Sequence, residues 1–159
     1  MGYDMFVVDK DGQTIPETEY RYWRRNIRGG YAQAERLVEL GMASWPTQAG
    51  PDFPDIPEGT TWQENEDGTD ILVGPGAADY IAAVNSLLTD RRGATKGIAA
   101  HKLCGSNDGW WVTAEECREA LQIWEETGRP AVDDFGGGPL DDTIPFLQLA
   151  AEHHGFRVW

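Results

Sequence analysis

Residues 107–117 constrain the fold more than any other part of the chain. The Asn-Asp-Gly sequence at 107–109 predicts a turn, and Trp-Trp-Val at 110–112 predicts a short strand. Thr113 and Glu116 have the spacing of a capping box, and Val112 and Cys117 occupy the positions of a hydrophobic staple at a helix start. A helix should follow, ended by Gly128 and Pro130. Its apolar stripe consists of Cys117, Ala120, Leu121 and Trp124.

The other elements predict a mixed architecture. We expect strands at 5–9, 61–63, 70–73 and 156–159, with hairpin turns at 10–13 and 66–69. Further helices are expected over 30–41, from 74–76 to 91–93, and from Asp142 or Thr143 to just before Gly155. A Pro-rich loop over 44–60 is a candidate rim for a binding site, and a Gly-rich loop covers 133–139. The sequence therefore predicts one α+β domain over residues 1–159, with a small, mostly antiparallel sheet packed against about four helices.

The charge balance limits the classes of partner. The chain has 27 acidic and 13 basic residues, a net charge of −14, and residues 1–28 contain five of each sign. The acidic excess therefore lies after residue 28, where it disfavours nonspecific binding to nucleic acid or anionic membranes and favours basic partners. No apolar run approaches the roughly 20 residues of a membrane helix, and the N-terminus lacks a secretion-signal pattern. We expect a cytoplasmic protein, without membrane contact, that keeps Cys104 and Cys117 as free thiols.

Several motifs resemble those of a group of small uncharacterised proteins from bacteria and their phages. They are Gly-Tyr-Asp at 2–4, Lys-Leu at 102–103, Ser-Asn-Asp-Gly-Trp at 106–110, Val-Thr at 112–113 and Glu-Cys at 116–117. The end of the chain, from Phe-Leu at 146–147 through His154 to the closing Gly-Phe-x-Val-Trp at 155–159, resembles the same group. The resemblance covers about half of the chain, mostly after Ala99, and leaves out 44–60 and 133–139. It implies a domain extent and no activity.

The histidines and cysteines are the candidate residues for a metal or catalytic site. His101 and Cys104 have the spacing of half a zinc site, which His153, His154 or Cys117 would have to complete. No second closely spaced pair does so, and adjacent histidines on a helix point about 100° apart. Cys104 lies before a turn but no local motif marks it as a nucleophile. We therefore expect no metal, no cofactor and no catalytic residue.

The segment 20–28 combines arginines with aromatic residues. Arg21, Arg24, Arg25 and Arg28 interleave with Tyr20, Tyr22 and Trp23. Such arginines bind phosphate, stack on bases or anchor a protein partner. In so acidic a chain they also have carboxylates of their own to pair with. Both interpretations stay open at this point.

Adjacent tryptophans suggest a binding surface. Trp110 and Trp111 alternate along the predicted strand, so one should face the core and the other the opposite side. If the outward one is exposed together with Trp45 or Trp62, they form an aromatic patch of the kind found at interaction sites.

These features favour a small, acidic, non-enzymatic module that binds a protein with a basic surface. A phage- or toxin-associated modulator or inhibitor is the narrower form of this hypothesis, and nucleic acid is not an expected partner. One alternative is a DNA mimic, which needs carboxylates along one face at a phosphate-like spacing. Another is a metal-binding protein or enzyme that uses His101 and Cys104 with His153 and His154.

Overall fold

The computed structural model describes residues 2–132 and 142–159, and its fold class is α+β, as predicted. No helix in these two ranges is both long and apolar enough to cross a membrane. The predicted Gly-rich loop at 133–139 lies outside the described residues. The elements are β1 (Gly2–Val7), β2 (Tyr22–Asn26), α1 (Ile27–Glu39), β3 (Ala43–Ser44), β4 (Thr61–Glu64), β5 (Asp70–Val73), α2 (Ala77–Thr89), β6 (Ile98–Ala99), α3 (His101–Cys104), β7 (Trp110–Val112), α4 (Ala114–Glu126), α5 (Thr143–Glu152) and β8 (Phe156–Val158).

The chain folds into two compact units. The first, which we call the sheet unit, comprises Met1–Ala49 and Arg91–Trp159. The second, which we call the acidic unit, comprises Gly50–Asp90. The single domain expected over residues 1–159 stays a prediction.

The sheet unit is built on a four-stranded antiparallel sheet with the order β2-β1-β8-β7. Alternate residues of each strand are buried, among them Met5 on β1 and Trp23 on β2. Phe146 of α5 packs on this inner face, with its ring centroid 5.0 Å from that of Trp23 and 4.9 Å from that of Phe156. The core of this unit therefore lies between the inner face of the sheet and its helices.

A buried ion pair holds the beginning of α4. Thr113 and Glu116 form the predicted capping box, and Glu116 is 1% exposed. The Glu116 carboxylate accepts hydrogen bonds from the backbone N–H groups of Ala99 (3.0 Å) and Thr113 (2.8 Å) and from the Lys102 ammonium (2.8 Å). Lys102 also donates to the Trp111 carbonyl at 2.9 Å. The Glu116–Lys102 pair thus ties α4 to α3, β6 and β7.

Three short elements and one strand go beyond the sequence prediction. β2 runs through the arginine-rich segment, for which no strand was predicted. The Asn26 side chain accepts a hydrogen bond from the Gly29 N–H at 2.7 Å, so α1 begins at Ile27, earlier than the predicted residue 30. β3 and β6 form a two-stranded parallel ladder, and α3 is a single helical turn. Short elements of two to four residues carry too little periodicity to be recognised in a sequence.

The acidic unit contains a hairpin and one helix. β4 and β5 pair in the predicted antiparallel arrangement, with Trp62 opposite Leu72. The turn between them is closed by the Asn65 N–H on the Thr69 carbonyl (2.8 Å) and by the Asp67 carboxylate, which accepts the Thr69 N–H (3.0 Å). α2 follows this hairpin, and residues 45–60 contain no helix or strand.

Candidate functional site

The outer face of the sheet carries a row of aromatic and arginine side chains. The strand register places Tyr22, Phe6, Arg157 and Trp111 side by side across the four strands. The rings of Phe6 and Tyr22 are 4.9 Å apart, and Tyr22 is 44% exposed. Aromatic residues and arginine are enriched at protein interfaces, which makes this row a candidate surface.

Within that row, Arg157 is held between two indoles. Its guanidinium carbon lies 5.3 Å from the Trp111 ring centroid and 5.0 Å from that of Trp159. Arg157 also donates from Nε to the Gly109 carbonyl at 3.0 Å, and burial lowers its pKa from the usual value. The Arg157 guanidinium is therefore largely engaged inside the sheet unit. Arg157 of β8 and Trp159, which directly follows that strand, are two residues apart, and alternate residues of an extended segment lie on the same side. The sequence spacing therefore indicates this contact.

Three of the four arginines proposed as a binding cluster have carboxylate partners in the chain. Arg21 lies 2.9 Å from Glu17 and Arg24 lies 3.7 Å from Asp4. Arg25 is buried, lies 3.0 Å from Asp142 and stacks 4.3 Å from the Trp23 ring centroid. These distances favour the intramolecular interpretation. Arg28 is exposed on the first turn of α1.

A cavity of about 370 Å³ lies beside this arginine segment. Tyr20, on its wall, has a φ of 64° and is 41% exposed. A tyrosine in this left-handed region is uncommon. The charges beside the cavity are already paired, because Glu17 accepts from Arg21. It therefore offers no net charge with which to select a ligand. Its lining residues are Phe6, Glu17, Thr18, Tyr20, Arg21 and Tyr22.

The four candidate tryptophans differ in exposure and are divided between the two units. Trp110 is the inward-facing member of the adjacent pair and is 3% exposed, while Trp111 is partly exposed and donates to the His154 carbonyl at 2.8 Å. Trp45 is 38% exposed with its ring centroid 6.0 Å from that of Tyr31 in the sheet unit. Trp62, in the acidic unit, is 54% exposed.

The candidate metal and nucleophile residues lie in different environments. His101 is buried against Trp110, with ring centroids 5.2 Å apart in an edge-to-face arrangement. Cys104 is half-buried, and burial raises the pKa of its thiol to about 11, which disfavours the reactive thiolate. His153 and His154 are exposed near the end of α5. In the two described ranges, no three histidine, cysteine, aspartate or glutamate side chains come together as a metal-ion site.

The strongest charge feature is the acidic unit. Residues 50–90 contain nine aspartate and glutamate residues and no lysine or arginine, so this segment holds −9 of the net charge of −14. No ion pair with a lysine or arginine of its own can form within the unit. The motif-based interpretation missed this segment, although a charge count in a moving window would have found it. The nine carboxylates belong to Asp52, Asp55, Glu58, Glu64, Glu66, Asp67, Asp70, Asp79 and Asp90.

The same unit exposes large apolar side chains. Trp62 is 54%, Ile56 52% and Phe53 45% exposed, and Ile71 and Ile81 are each 37% exposed. Exposed aromatic and branched side chains beside charges of one sign have the composition of an interface core with a charged rim. The acidic unit is therefore the better candidate surface.

No protein-family model, no curated protein and no solved structure matches this chain. Support for a function therefore comes from the charges and the exposed side chains of the protein itself.

Proposed function

We propose that this protein is a binding module for another protein with a basic surface, and that residues 50–90 make the contact. The observation that carries the proposal is the complete segregation of charge: nine carboxylates and no lysine or arginine in one compact unit. The unit itself contains no lysine or arginine that could pair with these carboxylates. Lysine and arginine side chains of the partner supply the positive charge, and they also speed the encounter through long-range attraction.

The exposed apolar side chains of the unit supply binding free energy that charge alone does not. Electrostatic complementarity raises the association rate and the specificity, whereas buried aromatic anchors supply most of the binding free energy. Trp62, on the exposed strand β4, is the largest such anchor in the unit. We therefore assign the central contact to Trp62, with Phe53 and Ile56 of the Pro-rich loop as further apolar contacts.

Site-specific photocrosslinking tests this assignment. A benzoylphenylalanine placed at position 62 or 53 is expected to capture one protein from a lysate of the cells that produce the chain. Position 31 serves as the matched control, since Tyr31 is an aromatic residue of the sheet unit that is 51% exposed. The captured protein is then purified, and W62A should weaken its binding by about tenfold or more in calorimetry. Capture from position 31 alone, or unchanged affinity of W62A, would refute the assignment.

The narrower function, a phage- or toxin-associated inhibitor, adds the resemblance of residues 106–117 and 155–159 to this proposal. The DNA-mimic alternative uses the same carboxylates, and it requires that duplex DNA compete with the chain for the purified partner. If duplex DNA does not compete, the partner's basic surface is not a DNA-binding surface, and the DNA-mimic alternative fails. The metal or enzyme alternative gains no support from the described positions of His101, Cys104, His153 and His154.

A further inference from the structure

β4 forms an accessible edge of the small sheet in the acidic unit. Among the described residues, that sheet consists of β4 and β5, so each strand pairs on one side. All four residues of β4 are exposed, whereas Leu72 and Val73 of β5 are half-buried and the chain continues from them into α2. β4 is therefore the more accessible of the two edges.

The hydrogen bonds of the hairpin show which backbone groups lie on this edge. The Asn65 N–H donates to the Thr69 carbonyl at 2.8 Å, which makes these two residues a hydrogen-bonded pair. Such pairs alternate with non-hydrogen-bonded pairs along an antiparallel ladder. Glu64 and Trp62 both belong to non-hydrogen-bonded pairs, so their N–H and C=O groups point away from β5. Within residues 2–132 and 142–159, neither of these N–H groups donates to another acceptor.

The side chains beside this edge are an apolar anchor and carboxylates. Trp62 and Glu64 are alternate residues, so they lie on one face of the hairpin, together with Leu72 and Asp70 across the ladder. Trp62 is 54% exposed, and Glu64 and Asp70 are also exposed. A strand added at this edge places its own alternate residues on the same face. An apolar residue suits Trp62 and a lysine or arginine suits Glu64, because such cross-strand pairs stabilise a sheet.

The charge of the acidic unit determines which kind of strand can pair with β4. Edge strands are commonly protected from pairing by lysine or proline, and β4 and β5 contain neither. The carboxylates disfavour pairing with a second copy of this chain, because two units that each carry −9 repel one another. The same charge attracts a strand that contains lysine or arginine. The edge is thus suited to a basic segment of a different protein.

We propose that an extended, basic segment of the partner pairs with β4 as a third strand. The inference rests on the proposed function and names the way in which the partner is recognised. The partner's main chain exchanges hydrogen bonds with Trp62 and Glu64, which supplies affinity, and alternate side chains supply specificity. An apolar residue packs on Trp62, and a lysine or arginine two positions away pairs with Glu64.

A peptide and its backbone-methylated form test this strand addition. The probe repeats Lys-Thr-Val-Thr twice and ends in lysine, so lysine and valine alternate on one side of the extended peptide. The control peptide has the same side chains and the same charge. Its N-methyl groups, on both valines and the central lysine, remove the N–H donors that would face β4. Each peptide is titrated into the full-length protein, and amide hydrogen exchange is followed by NMR.

Saturating probe peptide should slow exchange of the Trp62 and Glu64 amides by about tenfold or more, because both become hydrogen-bonded. The Asp70 and Leu72 amides, on the far edge of β5, should change by less than about twofold. The N-methylated peptide should bind about tenfold more weakly. Equal affinity of the two peptides, or no protection of Trp62 and Glu64, would overturn strand addition, since charge attraction alone would then explain the binding. A peptide with Gln in place of Lys should also bind more weakly, and equal affinity would refute the basic character of the segment.

The variants E64P and E64Q separate this inference from the proposed function. Both lose the carboxylate, but only proline removes the outward N–H, at an edge position that tolerates it. Circular dichroism verifies that each variant is folded, and the partner captured at position 62 should bind E64P about tenfold more weakly than E64Q. If it binds both equally, strand addition fails and the proposed function stands. If the peptide protects the edge but position 62 captures nothing, the proposed function fails and strand addition stands.

Discussion

Replacement of Glu116 by Gln should destabilise the protein by about 3–5 kcal/mol, because a buried ammonium then loses its counter-charge. Lys102 and Glu116 are 0% and 1% exposed at the side chain, and their charged atoms are 2.8 Å apart. Replacement of Lys102 by Met should cost a similar amount for the same reason. The double variant K102M/E116Q removes both charges and keeps a side chain that can complete the capping box. It should lose only about 1–3 kcal/mol, mainly from the mismatch between the Gln amide and the backbone donors.

Urea denaturation followed by tryptophan fluorescence measures the three free energies of unfolding and their coupling. We expect a coupling of at least about 3 kcal/mol, in favour of the double variant. E125Q is the control, because Glu125 and Arg129 lie 2.8 Å apart but are 48% and 63% exposed at the side chain. Its cost should stay below about 1 kcal/mol. Effects of E116Q and K102M that add within about 0.5 kcal/mol would refute the reasoning, since the two charges would then be independent.

Three further predictions concern a turn, a thiol and the acidic unit. G109A should lower the urea midpoint of unfolding more than G128A does. Both glycines have a positive φ (78° and 87°), so the backbone strain is similar. A Cβ on Gly109 would lie 2.5 Å from the Trp159 ring, whereas a Cβ on Gly128 would meet nothing within 4 Å. A smaller effect of G109A would contradict the packing. Alkylation of Cys104 by iodoacetamide should accelerate with pH until about 11, because the reactive thiolate forms only as the pH approaches the raised pKa. A plateau near pH 9 would contradict its burial. Amide hydrogen exchange in α2 should slow between about 10 and 500 mM NaCl as salt screens carboxylate repulsion, and in α4 it should change less. Equal responses of the two helices would contradict the segregation of charge.

The sequence predicted most reliably the elements whose local chemistry and core packing agree. Thr113, Glu116 and the apolar stripe after them all specify the same helix, and α4 starts and ends where they indicate. The hairpin of β4 and β5 was equally clear, because its turn residues have a local hydrogen-bonding role. β2 was missed because Trp23 and Arg25 face the core on a strand whose exposed positions are tyrosine, arginine and asparagine. A buried arginine interrupts the alternation of apolar and polar residues from which a strand is predicted.

Long-range pairing explains what remained unpredictable in the candidate site. Arg25 pairs with Asp142, which is far away in sequence, and Lys102 pairs with Glu116 through a helical turn that sequence patterns did not indicate. The sequence showed that one of Trp110 and Trp111 must face inward, but only the sheet register determines that it is Trp110. The Pro-rich segment has no regular periodicity, so its course could not be predicted from residue spacing.

The acidic unit combines two features that each reduce the stability of an isolated unit. Repulsion among nine carboxylates opposes compaction, and exposed Trp62, Phe53 and Ile56 give up the free energy that burial would contribute. Solubility alone requires neither, because a mixed-charge surface with few exposed apolar groups serves it better. The chain has 13 basic residues and places all of them outside residues 50–90. The partner that we propose, cationic and with an apolar contact surface, would offset the repulsion and cover the apolar groups at the same time, so one interaction would account for both features.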